Sequence, residues 1–256
     1  MKKVFALLVA LTLVLASTAA LAEDTVLKAG CNPEFPPFES MDDNGAIIGF
    51  DADLAAEISK DIGMTIELES TSFDSIITGI QTGLYDLGIS GFYITEERQM
   101  NVDFSIPYLQ DGQSCIVKAG GGITDNDSLM GKKIGSQTGT TGMDAAEEST
   151  TEGNAYAYTK ALDAVMDLQG GKLDAVITDT PVAKRLVKEL ADDSLVISDT
   201  VVFDAEYYGV AITKGNDELK AKIDASIERM QEDGTIDALV VKWDIYGENT
   251  GDDDAE

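Results

Sequence analysis

Two segments of this chain repeat each other 88 residues apart, IITGIQTGLYDLGIS at positions 76–90 and AVMDLQGGKLDAVIT at positions 164–178. Each has the pattern of an amphipathic helix, a Gln, a glycine that ends the helix, an Asp and a short apolar strand. A polar loop follows in both cases. Any helix–glycine–strand unit has part of this pattern, but the shared Gln, Gly and Asp at one offset favour two similar α/β lobes.

The residues around the repeat alternate between strand and helix patterns. Residues 25–29, 65–69 and 86–89 are predicted strands, residues 51–62 and 74–82 predicted helices, and residues 31–37 a loop. Two more helices are predicted over residues 217–233, with Asn216 or Asp217 as the cap, and over residues 235–246. This alternation indicates the α/β class, with central β-sheets flanked by helices.

The N-terminus has the pattern of a secretory signal peptide. Lys2 and Lys3 precede an apolar run at positions 4–15 and a segment of small residues that ends at Ala22. We expect cleavage after Ala22 and a periplasmic or extracellular location, with residues 1–22 excluded from the fold. The alternative, an uncleaved anchor, is disfavoured because the run is short for a membrane span. Residues 248–256 are acidic and are predicted to be a disordered tail.

Composition excludes several function classes. The formal net charge of −29 disfavours binding to nucleic acid, and the absence of histidine removes histidine-based triads and metal sites. Cys31 and Cys115 are too few for a metal site, and their spacing leaves open whether they pair. The composition therefore predicts no metal site. We also expect no catalytic residue, no cofactor and a monomer.

Arg98 is the first candidate ligand residue. It stands at the start of a predicted helix capped by Thr95, where the helix dipole disfavours a cation. A guanidinium at that place is explained if it faces an anion, since it grips a carboxylate with two parallel hydrogen bonds. The alternative is a surface arginine paired with Glu96 or Asp103.

Three further features lie after predicted strands, where open α/β sheets bind ligands. The loop GSQTGTTG at positions 135–142 precedes a predicted helix over residues 143–148. It offers backbone N–H groups and hydroxyls to an anion, or is a flexible turn. Asp179 suits a ligand ammonium, or caps the segment after it. Phe35 and Phe73 are placed to enclose a ligand side chain, whereas Phe38 fits the core better. Carboxylate and ammonium sites together predict a zwitterionic α-amino acid.

At this point the chain resembles the family 3 extracellular solute-binding proteins, the polar amino-acid receptors of ABC importers. The resemblance covers residues 25–247 and rests on the order and spacing of short motifs. These are FPPFE at 35–39, GFDADL at 49–54, DLGI at 86–89, TEER at 95–98, VDFSIPY at 102–108, QTGTT at 137–141, DAVITD at 174–179 and YGVA at 208–211.

The resemblance implies a role for each site residue. Arg98 would bind the ligand carboxylate with the backbone amides of Thr140 and Thr141, and Asp179 would bind the ammonium with the carbonyl of Gly91. The remaining positions would contact the ligand side chain: Phe35 and Phe73 flank it, and Asn32 and Gln137 set its specificity. Tyr93 departs from the family, which has a small hydroxyl residue there. Either Tyr93 packs against the ligand or the local loop differs.

The resemblance also implies a Venus-flytrap architecture of the type II periplasmic binding proteins. Lobe 1 would comprise residues 24–110 and 207–247, and lobe 2 residues 113–204, joined by a two-strand hinge. The chain would capture a polar L-amino acid between the lobes and deliver it to an ABC transporter permease. Two alternatives stay open: an exported cyclohexadienyl or arogenate dehydratase-like enzyme, which needs a general acid near Asp179, and a receptor for a ligand that is not an amino acid.

Overall fold

The computed structural model describes residues 26–247, so the predicted signal peptide and acidic tail lie outside the described residues. The first part of the chain forms β1 (Val26–Cys31), β2 (Glu34–Phe35), β3 (Glu39–Met41), β4 (Ile47–Ile48), α1 (Phe50–Ile62), β5 (Thr65–Ser70), α2 (Phe73–Gln81), β6 (Leu87–Gly88), α3 (Glu96–Gln99) and β7 (Asp103–Phe104).

The second part forms β8 (Leu109–Lys118), a 3₁₀ turn (Asp127–Leu129), β9 (Ile134–Gln137), α4 (Thr141–Ser149), β10 (Ala155–Tyr158), α5 (Ala161–Gln169), β11 (Ala175–Asp179), α6 (Thr180–Leu190) and β12 (Leu195–Ile197). The chain ends with β13 (Ala205–Tyr208), β14 (Ala211–Ile212), α7 (Asp217–Glu232) and α8 (Thr235–Lys242). The α/β class is confirmed.

Two mixed sheets organise these elements. The first has the order β5-β1-β6-β14-β7, with β1 parallel to β5 and β6 and with β14 antiparallel to its neighbours. The second has the order β10-β9-β11-β8-β12, with β9 parallel to β10 and β11 and with β8 antiparallel to β11 and β12. A small sheet, β2-β3-β4, lies beside the first.

The sequence repeat corresponds to one unit of each sheet. Helices α2 and α5 have nine residues each, and the strands β6 and β11 follow them in the central part of their sheets. Apolar residues on one face of each helix are buried, Ile76 and Ile80 in α2 and Val165 and Leu168 in α5. Gly83 and its counterpart in the second unit adopt φ near +75°, a conformation that glycine reaches without steric cost. The glycine that follows the helix in each repeat is therefore explained by the backbone conformation at that position.

A two-stranded ribbon connects the sheets. Strands β8 and β13 pair antiparallel, with Leu109 opposite Tyr208 and Gly112 opposite Ala205. Beyond Gly112, β8 continues into the second sheet, where Gln113 lies opposite Asp179. Residues 110–112 and 205–207 of this ribbon fall at the boundaries of the two predicted lobes, where the two-strand hinge is expected.

Three sequence predictions need correction. Residues 31–37 are not all loop, because Glu34–Phe35 pairs with β3. The last helix ends at Lys242 rather than at position 246, since Asp244 takes a positive φ of 50° that breaks the helix. The helix after the glycine-rich loop begins at Thr141, two residues earlier than predicted, because Thr140 caps it.

The two cysteines are separate and free. Cys31 lies in β1 and Cys115 in β8, and both are fully buried. No helix within residues 26–247 combines the length and the apolar character that crossing a bilayer requires.

Candidate functional site

Arg98 is held by backbone carbonyls from both sides of the molecule. Thr95 caps the helix as predicted, since its side chain accepts a hydrogen bond from the Arg98 backbone N–H at 3.2 Å. Nη1 of Arg98 donates to the carbonyl of Tyr93 at 2.8 Å, and Nη2 donates to the carbonyl of Gly139 at 2.9 Å. Because Gly139 belongs to the loop that enters α4, this side chain connects the two sheets.

The Arg98 guanidinium lies next to two aromatic rings. Its central carbon is 5.4 Å from the Phe73 ring centre and 5.3 Å from that of Phe92, and the two rings stack on each other at 4.5 Å. Only 9% of the residue is exposed. Within the described residues Arg98 forms no ion pair, so the alternative of a surface pair with Glu96 or Asp103 is wrong.

Asp179 is a buried carboxylate at the end of β11. Its two oxygens accept hydrogen bonds from Gln113 Nε2 and from the Tyr208 hydroxyl, each at 2.9 Å. Asp179 occupies the N-cap position of α6, as the capping alternative predicted, but its side chain forms no capping hydrogen bond there. Burial raises the pKa of Asp179 to about 7, and the Gln113 and Tyr208 hydrogen bonds and the positive charge of Arg98 oppose that shift.

The Tyr93 ring packs on the ribbon. The ring stacks on Tyr208 with centres 4.1 Å apart, and the two hydroxyls are 2.7 Å apart. The Tyr93 hydroxyl also lies 3.3 Å from the carbonyl of Gly112. One hydroxyl proton serves one acceptor, and Tyr208 donates to Asp179. The Tyr93 side chain is therefore packed into the ribbon, while its backbone carbonyl holds Arg98.

Thr140 and Thr141 of the glycine-rich loop have different roles. Thr140 caps α4, accepting from the Met143 N–H at 3.2 Å, and its hydroxyl donates to the Gln137 carbonyl at 2.7 Å. The Thr141 hydroxyl donates to Glu206 at 3.1 Å. The N-terminal N–H groups of α4 therefore lie beside Gly139, on the same side as the Arg98 guanidinium.

Phe35, Gly91 and Asn32 lie on the first sheet's side. Gly91 has a positive φ of 56°, and a side chain there would contact the Phe35 ring. Asn32 is 5% exposed, and its Oδ1 accepts from Gln137 Nε2 at 2.9 Å. With Gln137 coming from the second sheet, this pair is a second direct contact between the two sheets.

The ten predicted residues are thus brought together, each in contact with another or with a shared neighbour. We call them the interlobe site: Asn32, Phe35, Phe73, Gly91, Tyr93, Arg98, Gln137, Thr140, Thr141 and Asp179. The site has a buried cation and helix N–H groups at one place and a buried carboxylate at another. No cluster suited to a metal ion occurs among residues 26–247.

A model of the bacterial extracellular solute-binding proteins of family 3 matches residues 27–246. The chain belongs to this family. Two relatives from Escherichia coli (strain K12) support the assignment. The putative ABC transporter arginine-binding protein 2 is 34% identical over 231 residues, 89% of this chain and 93% of the relative. The L-cystine-binding protein TcyJ is 32% identical over 223 residues, 86% of this chain and 83% of the relative.

Solved structures of family 3 type share the fold. An ancestral arginine-binding protein bound to arginine has a TM-score of 0.80 at 39% identity, over 85% of this chain and 97% of that one. The arginine-, lysine-, histidine-binding protein ArtJ from Geobacillus stearothermophilus has a TM-score of 0.80 at 36% identity, over 86% and 95%. The family resemblance and the architecture predicted from the motifs are confirmed.

The structure adds a carboxyl pair that the sequence analysis did not identify in this family 3 chain. Glu39 and Asp51 are fully buried next to each other below the loop of Gly91. Asp51 accepts the Gly91 N–H at 2.6 Å and the Tyr108 hydroxyl at 3.0 Å, and Glu39 accepts the Ser90 hydroxyl at 2.7 Å. Burial raises the pKa of Asp51 to about 6. Burial and the neighbouring Asp51 charge raise the pKa of Glu39 well above its usual range.

Glu206 and Gln113, both in the ribbon, were also missed. Nε2 of Gln113 lies 3.3 Å from the Glu206 carboxylate as well as 2.9 Å from Asp179, so one amide serves two acids. Burial raises the pKa of Glu206. Glu39 and Asp51 both lie in the family motifs quoted above, so the sequence contained a signal for this acid pair. Neither Gln113 nor Glu206 lies in such a motif.

Proposed function

We propose that this chain is an extracytoplasmic receptor that captures a polar L-amino acid in the interlobe site and delivers it to an ABC transporter permease. The observation that carries the proposal is the pair of buried opposite charges, Arg98 and Asp179, on elements of the two sheets. A buried charge without a partner is unfavourable. A zwitterionic α-amino acid supplies both partners at once.

The proposed roles follow the geometry of the site. Arg98 and the N-terminal amides of α4 at Thr140 and Thr141 bind the carboxylate, because a guanidinium and helix N–H groups both favour an anion. Asp179 and the carbonyl of Gly91 bind the ammonium. Tyr93 contributes its carbonyl to Arg98 rather than its side chain to the ligand, since its ring is packed on the ribbon.

The side-chain end of the ligand is assigned to four residues: Phe35, Phe73, Asn32 and Gln137. Phe73 is the strongest of these assignments, because its ring already contacts the Arg98 guanidinium. A ligand held by Arg98 through its carboxylate would place its side chain beside that ring. The aromatic faces would then bury the aliphatic part of the ligand.

Delivery to a permease is supported by the names of the relatives, which include ABC transporter arginine-binding proteins. We propose export through a signal peptide cleaved after Ala22, and two lobes, residues 24–110 with 207–247 and residues 113–204, that close on the ribbon. A ligand that contacts both lobes only in the closed form shifts the equilibrium toward closure. The closed form is then the signal that the permease recognises.

We propose binding without turnover. One structural relative is an ancestral amino acid-binding protein described as a precursor of cyclohexadienyl dehydratase, with 35% identity and a TM-score of 0.77. The dehydratase alternative needs a general acid, and Glu206 is the acid that lies near Asp179 through Gln113. Conversion of prephenate or arogenate by the purified chain, lost in Glu206→Gln, would replace the receptor proposal.

The receptor proposal is tested by thermal unfolding of ligand-stripped protein with each common L-amino acid. Ligand at about 100 times its dissociation constant adds about 2.7 kcal/mol to the free energy of unfolding, a shift of about 5–10 °C for a chain of this size. Arg98→Ala and Asp179→Asn should remove the shift. The matched exposed controls Arg185→Ala and Asp163→Asn should retain it. If no amino acid gives a shift in the unmodified chain, the proposal fails.

A further inference from the structure

Two buried side-chain amides meet where the sheets face each other. Asn32 is 5% exposed and Gln137 is 2% exposed, and Gln137 Nε2 donates to Asn32 Oδ1 at 2.9 Å. Asn32 follows β1 of the first sheet, and Gln137 ends β9 of the second. A ligand bound between Arg98 and Asp179 extends its side chain toward this amide pair under the proposed function.

Backbone carbonyls fix the orientation of both amides. Asn32 Nδ2 donates to the carbonyl of Thr71 at 2.9 Å, and Gln137 Nε2 donates to the carbonyl of Thr159 at 3.0 Å. A backbone carbonyl only accepts hydrogen bonds, so each NH₂ group must face its carbonyl. Flipping either amide would bring two oxygens together. Both N–H bonds of Gln137 are therefore used, one for Asn32 and one for Thr159.

The side-chain oxygen of Gln137 is a hydrogen-bond acceptor that is left without a partner within residues 26–247. Gln137 Oε1 is buried and has no hydrogen-bond partner among the described residues. A buried acceptor without a partner is unfavourable, so native proteins supply one from protein, water or ligand. Since both N–H bonds of Gln137 and one of the two of Asn32 are committed, the unsatisfied Gln137 oxygen makes the pair mainly an acceptor toward a ligand.

The amide pair also lacks a full negative charge. Two acids lie near Asn32. Glu39 is linked to it only through Ser90, whose hydroxyl accepts from the Asn32 backbone N–H at 2.9 Å, and Glu34 is half-exposed and forms an ion pair with Lys160 at 2.7 Å. No carboxylate is hydrogen-bonded to Asn32 or Gln137 in the part of the chain described here. A cationic side chain placed on Gln137 Oε1 would be buried without a counter-ion, and that is costly.

We propose that the amide pair makes this receptor select an L-amino acid whose side chain ends in a neutral N–H donor, a carboxamide or a ureido group. This inference rests on the proposed function and deepens it. A side-chain carboxylate would face the Gln137 oxygen and the Thr71 and Thr159 carbonyls with no proton to donate. A guanidinium or ammonium would donate well but would carry an unpaired charge into the site.

Two matched ligand pairs test this by calorimetric titration of the ligand-stripped protein. Glutamine and glutamate differ in the donor group, and citrulline and arginine differ in charge at nearly the same shape. We expect glutamine to bind at least about 100-fold more tightly than glutamate, because a buried polar site rejects an unmatched group strongly. We expect citrulline to bind about tenfold more tightly than arginine.

Two variants then assign the selectivity to the amides. Asn32→Asp supplies a carboxylate, so the ratio of the arginine to the citrulline dissociation constants should fall by about tenfold or more. Gln137→Met removes the acceptor at similar size, so the preference for glutamine over glutamate should fall below about tenfold. Each ratio is measured within one protein preparation, so a partial loss of folded protein cancels.

The outcomes separate this inference from the proposed function. Tighter binding of glutamate than glutamine, or of arginine than citrulline, by the unmodified chain overturns the inference and leaves an amino-acid site in place. Unchanged ratios in both variants also overturn it. Binding of none of the four ligands, nor of any other L-amino acid in the thermal panel, overturns the proposed function, and the inference falls with it.

Discussion

Ligand affinity should depend on pH through a single carboxyl group. Asp179 has its pKa raised to about 7 by burial, and its ionised form is the one that binds an ammonium. Protonation of Asp179 competes with the ligand, so affinity is fully present above this pKa and is lost as pH falls through it. With ionised Asp179 required, the apparent Kd rises about twofold at pH 7, about tenfold at pH 6 and about 100-fold at pH 5, relative to alkaline pH.

The Tyr208 hydroxyl controls where that transition lies. It donates to Asp179 at 2.9 Å, and a hydrogen bond to a charged group contributes about 1.5–3 kcal/mol. Tyr208→Phe removes the bond from the ionised form, which should raise the pKa of Asp179 by about 1–2 units. The affinity profile should move to higher pH by the same amount. Tyr156→Phe, at an exposed tyrosine of β10, is the matched control.

Isothermal titration over about pH 5 to 8, in buffers of different ionisation enthalpy, measures both affinity and proton exchange. At pH 7 binding should release about half a proton, the fraction of Asp179 that is protonated there. Asp179→Asn should lose the profile along with most of the affinity. A Kd that stays constant across this range, with no proton released, would refute the assignment of Asp179 to the ammonium.

Three further predictions concern other parts of the chain. The folded state raises the pKa of Glu39 beside Asp51, so the free energy of unfolding should fall as pH rises. Glu39→Gln should flatten that pH dependence in thermal scans, and an unchanged slope would contradict the prediction. Cys31 and Cys115 should resist a thiol reagent in the native state and both react after denaturation, whereas a disulfide would leave neither reactive. Lys160→Ala removes an exposed ion pair between the sheets and should weaken ligand binding by less than about fivefold, measured by titration; a larger loss would make that pair a main closing contact.

Local pattern was sufficient for the elements that carry the site. Apolar periodicity located α1 and α2 within one residue of their ends, and the capping signals at Thr95 and Asn216 are confirmed by side-chain hydrogen bonds. The 88-residue repeat identified two equivalent helices, because a helix, a glycine with positive φ and a strand leave a local signature. These features depend on residues close together in the chain.

Local sequence patterns could not predict contacts between residues that are far apart in the chain. Tyr93 and Tyr208 stack across 115 positions, and neither the direction of the Tyr93 ring nor its partner has a local signal. The same holds for Gln113, whose amide joins Asp179 to Glu206 because strand pairing places the three together. Asp51 lies in the first turn of α1, where the helix dipole by itself favours a negative charge, so its position carries no local signal of burial. Its burial is a tertiary property.

The ribbon of β8 and β13 restricts how the two halves of this molecule can move. Its strands are hydrogen-bonded to each other from Leu109–Tyr208 to Gly112–Ala205, so neither can slide or separate without breaking the ladder. If the lobes close as proposed, their motion is limited to twisting and bending of one short double strand. A joint restricted in this way reaches nearly the same closed shape whichever ligand fills it. Selectivity then depends on which ligands allow the lobes to close. A partner that binds the outer surface needs to recognise one shape only.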